Sequence, residues 1–444
     1  MSNRKRVWFE EAGRRLDPGL VEQLRMKRKE DPYETSKERL PVIVYYSKDS
    51  DDNKKKDLFT ACQADNNSKL DKDIGRMASR GNLTPQMIKQ IKDHESVDRI
   101  FYDRPVTALL DVASRQIGSV ELQESAGLTG KDVTISVIDS GVHPHSDLTE
   151  TSNRIVAFKD FINDEEKPYD DNGHGTHCAG DAAGNGQQSD GLYIGPAPEA
   201  SIVGVKVLDE NGSGRLSTII EGIEWSISNK DEYNIRIISL SLGAQAFESF
   251  RDDPLSISVE EAWHKGIVVC AAAGNSGPEQ TTISTPAINP FIITVGSTMD
   301  QNTKERSDDH IAEYSSRGPT VDSFVKPDIY APGTDIISLL APDSALEQEL
   351  PEQVVDENYL QLSGTSMATP ICAGVVAQML EANPNLSPND IKSILKSTSE
   401  PVLNDVGDIL KREVQWRWRP IIPVIKKLLN KVSLLNSELH RLRH

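Results

Sequence analysis

Val133-Thr134-Ile135-Ser136-Val137-Ile138 is an apolar, β-rich run that ends on Asp139-Ser140-Gly141. β-Branched residues at this density read as a strand covered on both faces, and the small residues after it read as the turn that ends it. Four more runs repeat the pattern: 201–208, 235–242, 266–273 and 291–296, each stopping at or near Gly, Asp or Asn. Helical stretches lie between them, at 216–228 and 256–264. Buried strands alternating with helices predict an α/β fold, a doubly wound and mostly parallel sheet with helices on both faces. Ligands of such sheets collect beyond the carboxyl ends of the strands. Asp139 and Asn275 each fall just past such an end.

Three segments carry reactive side chains in small-residue settings: Val137-Ile138-Asp139-Ser140-Gly141, Asn172-Gly173-His174-Gly175-Thr176-His177, and Ser363-Gly364-Thr365-Ser366-Met367-Ala368-Thr369-Pro370. Ser366 opens an apolar helical run, so its hydroxyl would sit at the positive end of a helix, beside N–H groups that lack helical partners. Taken alone, that position also suits a simple helix cap. His174 follows an Asn-Gly turn that would project it into a cleft, whereas His177 reads as a buried structural residue. The two histidines lack the glutamate and third ligand of a zinc peptidase. Asp139 is placed to accept the proton-bearing nitrogen of His174. Together the three supply a nucleophile, a general base and an orienting carboxylate. Asn275, in Ala273-Gly274-Asn275-Ser276-Gly277, offers a side-chain amide suited to an oxyanion.

The order Asp139, His174, Ser366 and the flanking motifs resemble the subtilisin family of serine peptidases over roughly residues 116–401. The resemblance implies a serine endopeptidase that acts on peptide bonds through an acyl-enzyme. Ser366 would be the nucleophile, His174 the base and then acid, and Asp139 the orienting group. Asn275 and the Ser366 N–H would hold the oxyanion. Ser241-Leu242-Gly243 and Gly212-Ser213-Gly214 would pair with extended substrate. The family pattern also implies an N-terminal module that inhibits the enzyme until it is cut away, here between Thr107 and Val120. Cys178, directly after His177, resembles the thiol-containing branch of the family, so a bulky mercurial there is expected to displace His174. No cofactor is required. Calcium is open as a structural ion, with Asp147 and the loop 185–195 as candidates. Ala271-Ala272-Ala273-Gly274 suggests a roomy, apolar specificity pocket and broad cleavage. An esterase of the α/β-hydrolase type is excluded, because both partners precede the serine and Gly-x-Ser-x-Gly is missing. An inactive scaffold finds no support, since every catalytic position is filled.

At 444 residues the chain exceeds what one core usually serves. Composition shifts divide it into a charged extension (1–39), a small α+β module (40–110), the large unit (111–403) and a basic amphipathic tail (404–444). In the tail Ile425, Leu428, Leu429, Val432, Leu435 and Leu439 recur at helical spacing, which suits docking on the large unit or a membrane or partner surface. A net charge of −19 argues against a general nucleic-acid surface. The first residues carry positive charge with no apolar stretch behind it, and no run is long enough to span a bilayer. Cys62, Cys178, Cys270 and Cys372 are too few and too scattered for a disulfide framework. These features point to reduced thiols and a cytoplasmic location.

Overall fold

The computed structural model describes residues 8–9, 15–16, 18–30, 39–47, 52–63, 69–74, 78–102, 113–114, 117–300, 309–401 and 416–417. The amphipathic tail expected over 404–444 lies outside them, apart from residues 416–417. The chain divides between Val106 and Thr107 into two compact units.

In the first unit β1 (Leu40–Tyr46) is flanked by β3 (Ala78–Leu83) and β4 (Val97–Tyr102), and β2 (Lys69–Ile74) pairs with β3. All these pairings are antiparallel. Helix α2 (Asp52–Gln63) joins β1 to β2 and α3 (Pro85–Ile91) joins β3 to β4, which makes a split βαβ arrangement. Thr84 starts α3 by accepting the Met87 N–H, and Pro85 takes the first position, where its missing donor costs nothing. Helix α1 (Pro18–Glu30) falls in the extension 1–39, read from sequence as partly helical and surface-lying, and packs inward instead. Leu20 and Leu24, one turn apart, are buried in one cluster with Val42, Leu58, Ile88 and Ile100. The charged residues around them had masked a two-leucine stripe.

The second unit is built on seven parallel strands in the order β6 (Ile155–Asp160), β7 (Ser201–Lys206), β5 (Thr134–Asp139), β8 (Ile235–Leu240), β9 (Val268–Ala272), β10 (Ile293–Met299) and β12 (Ile329–Pro332). The short β11 (His310–Ile311) pairs antiparallel with β10. A separate antiparallel sheet holds β13 (Ile336–Leu339), β14 (Val354–Val355) and β15 (Tyr359–Leu362). Beyond β12 lie the two-residue strands β17 (Trp416–Arg417) and β16 (Glu400–Pro401). Every residue of β5 is buried, so both faces of the sheet are covered there. After α4 (Ser119–Ala126), the chain supplies α5 (His174–Ala183), α6 (Leu216–Ser228), α7 (Pro254–His264), α8 (Thr365–Ala382) and α9 (Pro388–Thr398). Helix α8 is apolar on all sides and packs against α5 and against β8, β9 and β10. The chain runs from β5 outward to β6 and β7 on one side, then to β8 and beyond on the other. The reversal falls between β5 and β8, and ligand crevices form at such a switch point.

Candidate active site

Asp139 is the last residue of β5, and His174 is the first of α5. The two elements meet closely because residue 175 is glycine. A Cβ there would lie 2.2 Å from the Gly141 carbonyl oxygen and 3.0 Å from the Asp139 Cβ. The approach brings His174 Nδ1 to 2.7 Å from Asp139 Oδ1, which also accepts the Ser140 N–H at 2.8 Å. Asp139 Oδ2 is buried with no partner among the described residues, so its charge is left for the imidazole to balance. Burial works against the His174 imidazolium, but Asp139, with smaller help from Cys178, outweighs it and holds the pKa well above the ordinary value.

Ser366 is the second residue of α8, whose cap, Gly364, offers no side-chain bond to the first N–H groups. Further along the same helix Pro370 has no N–H to give to the Ser366 carbonyl. Two side chains cover that carbonyl instead: the Ser241 hydroxyl at 2.7 Å and the Cys178 thiol at 3.5 Å. The same thiol lies 3.9 Å from His174 Nδ1, so it sits between the histidine and the serine main chain. Burial pushes the Cys178 pKa up to about 11 and keeps the thiol neutral. The Ser366 hydroxyl donates to the Ser241 carbonyl at 3.1 Å, not to His174. That bond replaces the serine–histidine contact implied by the sequence.

Asn275 is oriented by Thr365, whose N–H and hydroxyl both donate to Oδ1 at 2.9 Å. The amide nitrogen therefore faces outward. A Cβ at position 364 would lie 3.2 Å from Asn275 Nδ2 and 3.5 Å from Ser366 N. Glycine at 364 keeps open the space in front of both donors.

Two cavities share the wall Ser241–Ala244. One, of about 500 Å³, holds Ser366 and Asn275. Of the four residues expected to make an apolar pocket, Ala272 and Gly274 line it; Ala271 and Ala273 are buried in the core. Hydroxyls of Ser276, Thr281 and Thr282 complete much of the wall, making it neutral and mixed in polarity. The other cavity, of about 540 Å³, contains His174, Gly212, Ser213, Gly214, Leu242 and Gly243.

Several supporting residues escaped the sequence reading. Asp170 accepts from Ser140 Oγ (2.9 Å), Gly173 N (2.8 Å), and both the N–H (2.8 Å) and hydroxyl (2.7 Å) of Thr176. Lys206, fully buried at the end of β7, donates to the Ser140 carbonyl and to Asp171, tying the Asp139 turn to the His174 turn. A lysine closing an otherwise apolar strand was the available signal. His177 is buried between Asp181 (3.0 Å) and the Leu360 carbonyl (2.9 Å), facing away from the cleft chemistry.

Asp139, His174 and Cys178 are the grouping of metal-capable side chains found among the described residues. The carboxylate–imidazole bond and the protonated thiol give it the character of a proton-transfer site. Asp147, the calcium candidate, is engaged within the protein. Its carboxylate accepts the Gln188 N–H (2.9 Å) and the Tyr359 hydroxyl (2.8 Å). Its carbonyl accepts from the Arg154 guanidinium, which also reaches the Ala183 carbonyl at 2.7 Å and the Ala200 carbonyl at 3.1 Å. A side-chain cation already occupies that corner.

A model of the subtilase family matches residues 130–416. The chain belongs to the subtilase family. It is 48% identical over 326 residues to serine protease AprX of Bacillus subtilis, covering 72% of this chain and 73% of that protein. It is 34% identical over 328 residues to subtilisin E of the same species, covering 72% and 75% of the two chains. Among solved structures, Sphericase superposes with a TM-score of 0.54 at 30% identity, over 69% of this chain and 99% of that one. Like other subtilases, the protein is a serine endopeptidase acting on protein substrates.

Proposed function

We propose that this subtilase cleaves peptide bonds with Ser366 as nucleophile, His174 as general base and then acid, and Asp139 as the orienting carboxylate. The observation that carries the reading is the 2.7 Å His174–Asp139 bond beside the helix N-terminus that presents Ser366. On substrate arrival the Ser366 hydroxyl leaves the Ser241 carbonyl and turns to His174 Nε2. Its oxygen then bonds to the scissile carbonyl carbon while its proton passes to Nε2. Asn275 Nδ2 and the Ser366 N–H receive the oxyanion. Collapse breaks the C–N bond, and Nε2 gives its proton to the departing amine. Water repeats the sequence on the acyl-enzyme, with the serine oxygen as leaving group. Extended substrate lies between Gly212–Gly214 and Ser241–Gly243, with an uncharged side chain in the neutral cavity. Fluorophosphonate labelling that persists in Ser366→Ala would sink this assignment.

The first unit is read as a self-inhibiting module removed by cleavage between Thr107 and Val120, a stretch that includes residues outside the described set. The division of the chain at Val106/Thr107 supports this reading. The expected amino terminus of fully active enzyme falls in that window; an intact Met1 at full activity would refute processing. Four buried, unpaired cysteines favour a reducing, cytoplasmic setting, with activity indifferent to added reductant.

A further inference from the structure

A short helix at 345–349 is docked on the turn that presents His174. Ser344 caps it by accepting the Glu347 N–H. Its first two free N–H groups do not go to water. Ala345 N donates to the Asp171 carbonyl at 2.9 Å and Leu346 N donates to the Asn172 carbonyl at 3.0 Å. The fit is close, since a Cβ on Gly173 would lie 2.8 Å from Ser344 Oγ and 3.6 Å from the Leu346 Cβ. Asn172 in turn reaches across to the opposite substrate segment, donating from Nδ2 to the Glu210 carbonyl at 3.0 Å. Leu346, His174 and Gly212 are thus gathered around one asparagine at one end of the second cavity. Leu346 is half-buried and lines that cavity with Leu208 and Leu216, whereas its helix neighbours Gln348 and Glu349 are exposed.

We propose that Leu346 determines specificity by forming the wall against which the substrate side chain over His174 packs. The side chain concerned belongs to the residue immediately before the scissile one. In an extended peptide successive side chains face opposite ways. With the scissile residue's side chain in the cavity beside Asn275, the preceding one points towards His174 and Leu346. An apolar side chain there closes against leucine. A charged one is desolvated without a partner. The inference rests on the proposed placement of Ser366, His174 and the substrate segments.

The test is a set of peptides differing at that one position (Leu, Ala, Lys, Asp), assayed with the active enzyme obtained by expressing the full chain, as wild type, Leu346→Ala, Leu346→Glu and Ala345→Pro. The expected wild-type preference for Leu over Ala is about tenfold in kcat/KM. Leu346→Ala should reduce it to within about twofold, through KM and with kcat held, because only an apolar contact is lost. Leu346→Glu should move the preference towards Lys. Ala345→Pro keeps the helix start, where proline is tolerated, but removes the hydrogen bond to Asp171. It should weaken the preference without creating a new one. Fluorophosphonate should still label Ser366 in all three, which shows that each variant is folded with its nucleophile in place. Unchanged profiles in Leu346→Ala and Leu346→Glu with labelling intact would overturn the role of Leu346. Failure of the wild-type enzyme to label at Ser366 would instead overturn the nucleophile assignment beneath it.

Discussion

The two halves of the cleft are held very differently. At the end of β5, Asp139 and His174 are already bonded at 2.7 Å, and Asp170 and Lys206 tie down the turns that carry them. At the start of α8, the Ser366 hydroxyl is bound to a carbonyl that it must leave before it can react. Its neighbour Asn275 is fixed on one side only, with Nδ2 left facing open space. On the proposed assignment, the base is therefore set before substrate binds, while the nucleophile is set by substrate. A charged, desolvated pair needs its partners in place at all times to avoid an uncompensated buried charge. A neutral hydroxyl can exchange one acceptor for another at little cost.

Breaking the rigid half should have the larger effect. Asp139→Asn keeps the shape but loses the charge that His174 balances, and a fall in kcat of about 10⁴-fold is expected, the size known for such changes in serine proteases. A loss under tenfold would mean that the tight pair is structural only. Breaking the open half should cost less. Asn275→Ala removes one of the two proposed oxyanion donors, and subtilisin itself loses about 100- to 1,000-fold on such a change. KM should stay near wild type, because the donor acts on the transition state. A raised KM with unchanged kcat would show Nδ2 holding substrate in its ground state.

The charge on His174 gives the next effect. As the proposed base, His174 must be neutral, and Asp139 raises its pKa well above 6.5 against the opposing effect of burial. In wild type kcat/KM should climb about tenfold per pH unit below that raised pKa and level off above it. In Asp139→Asn burial acts without the carboxylate, and the inflection of the residual activity should move down. The sign for stability is opposite. A histidine whose folded pKa is raised stabilises fully below its unfolded value, and the stabilisation fades as pH rises through the folded value. Activity should therefore rise over the same pH interval in which this contribution to stability falls. An inflection unmoved by Asp139→Asn would assign the titration to another group.

How much of this was legible depends on how local each cause is. The strands of the large sheet could be read because burial on both faces demands continuous apolar runs such as 133–138. In the first unit β2 and β3 could not, because Lys69-Leu70-Asp71-Lys72-Asp73-Ile74 at the sheet edge and Ala78-Ser79-Arg80-Gly81-Asn82-Leu83 between β1 and β2 have few apolar residues and form strands by pairing with their neighbours. Asp139, His174, Asn275 and Ser366 announced themselves by short motifs. Their supports did not. Thr365 acts on Asn275 across 90 residues, Ser241 on Ser366 across 125, and Lys206 on Ser140 across 66. No local pattern carries such a contact. The resting position of the Ser366 hydroxyl was equally hidden, since its acceptor is the Ser241 carbonyl, 125 residues away.

The smallest effect should appear far from both halves, at the corner where related enzymes suggested calcium. Asp147 spends its carboxylate on Gln188 and Tyr359, and its carbonyl on Arg154. Burial lowers the Arg154 pKa, opposed by Asp147 and Glu199, yet only to about 10, so the guanidinium stays charged at neutral pH and serves as the cation there. A ligand that binds only the folded state raises stability by mass action, so removing it must lower Tm. With the cation supplied by the chain, a chelator should move Tm by less than about 1 °C at this site, because no mass-action term exists to remove. Arg154→Ala should lower it by roughly 10 °C, because the Asp147, Ala183 and Ala200 carbonyls lose their donor together. Neither treatment should alter the pH inflection of His174. A chelator-induced fall of several degrees that calcium restores, and that Asp147→Asn abolishes, would put a metal back at this corner and displace the arginine from its role.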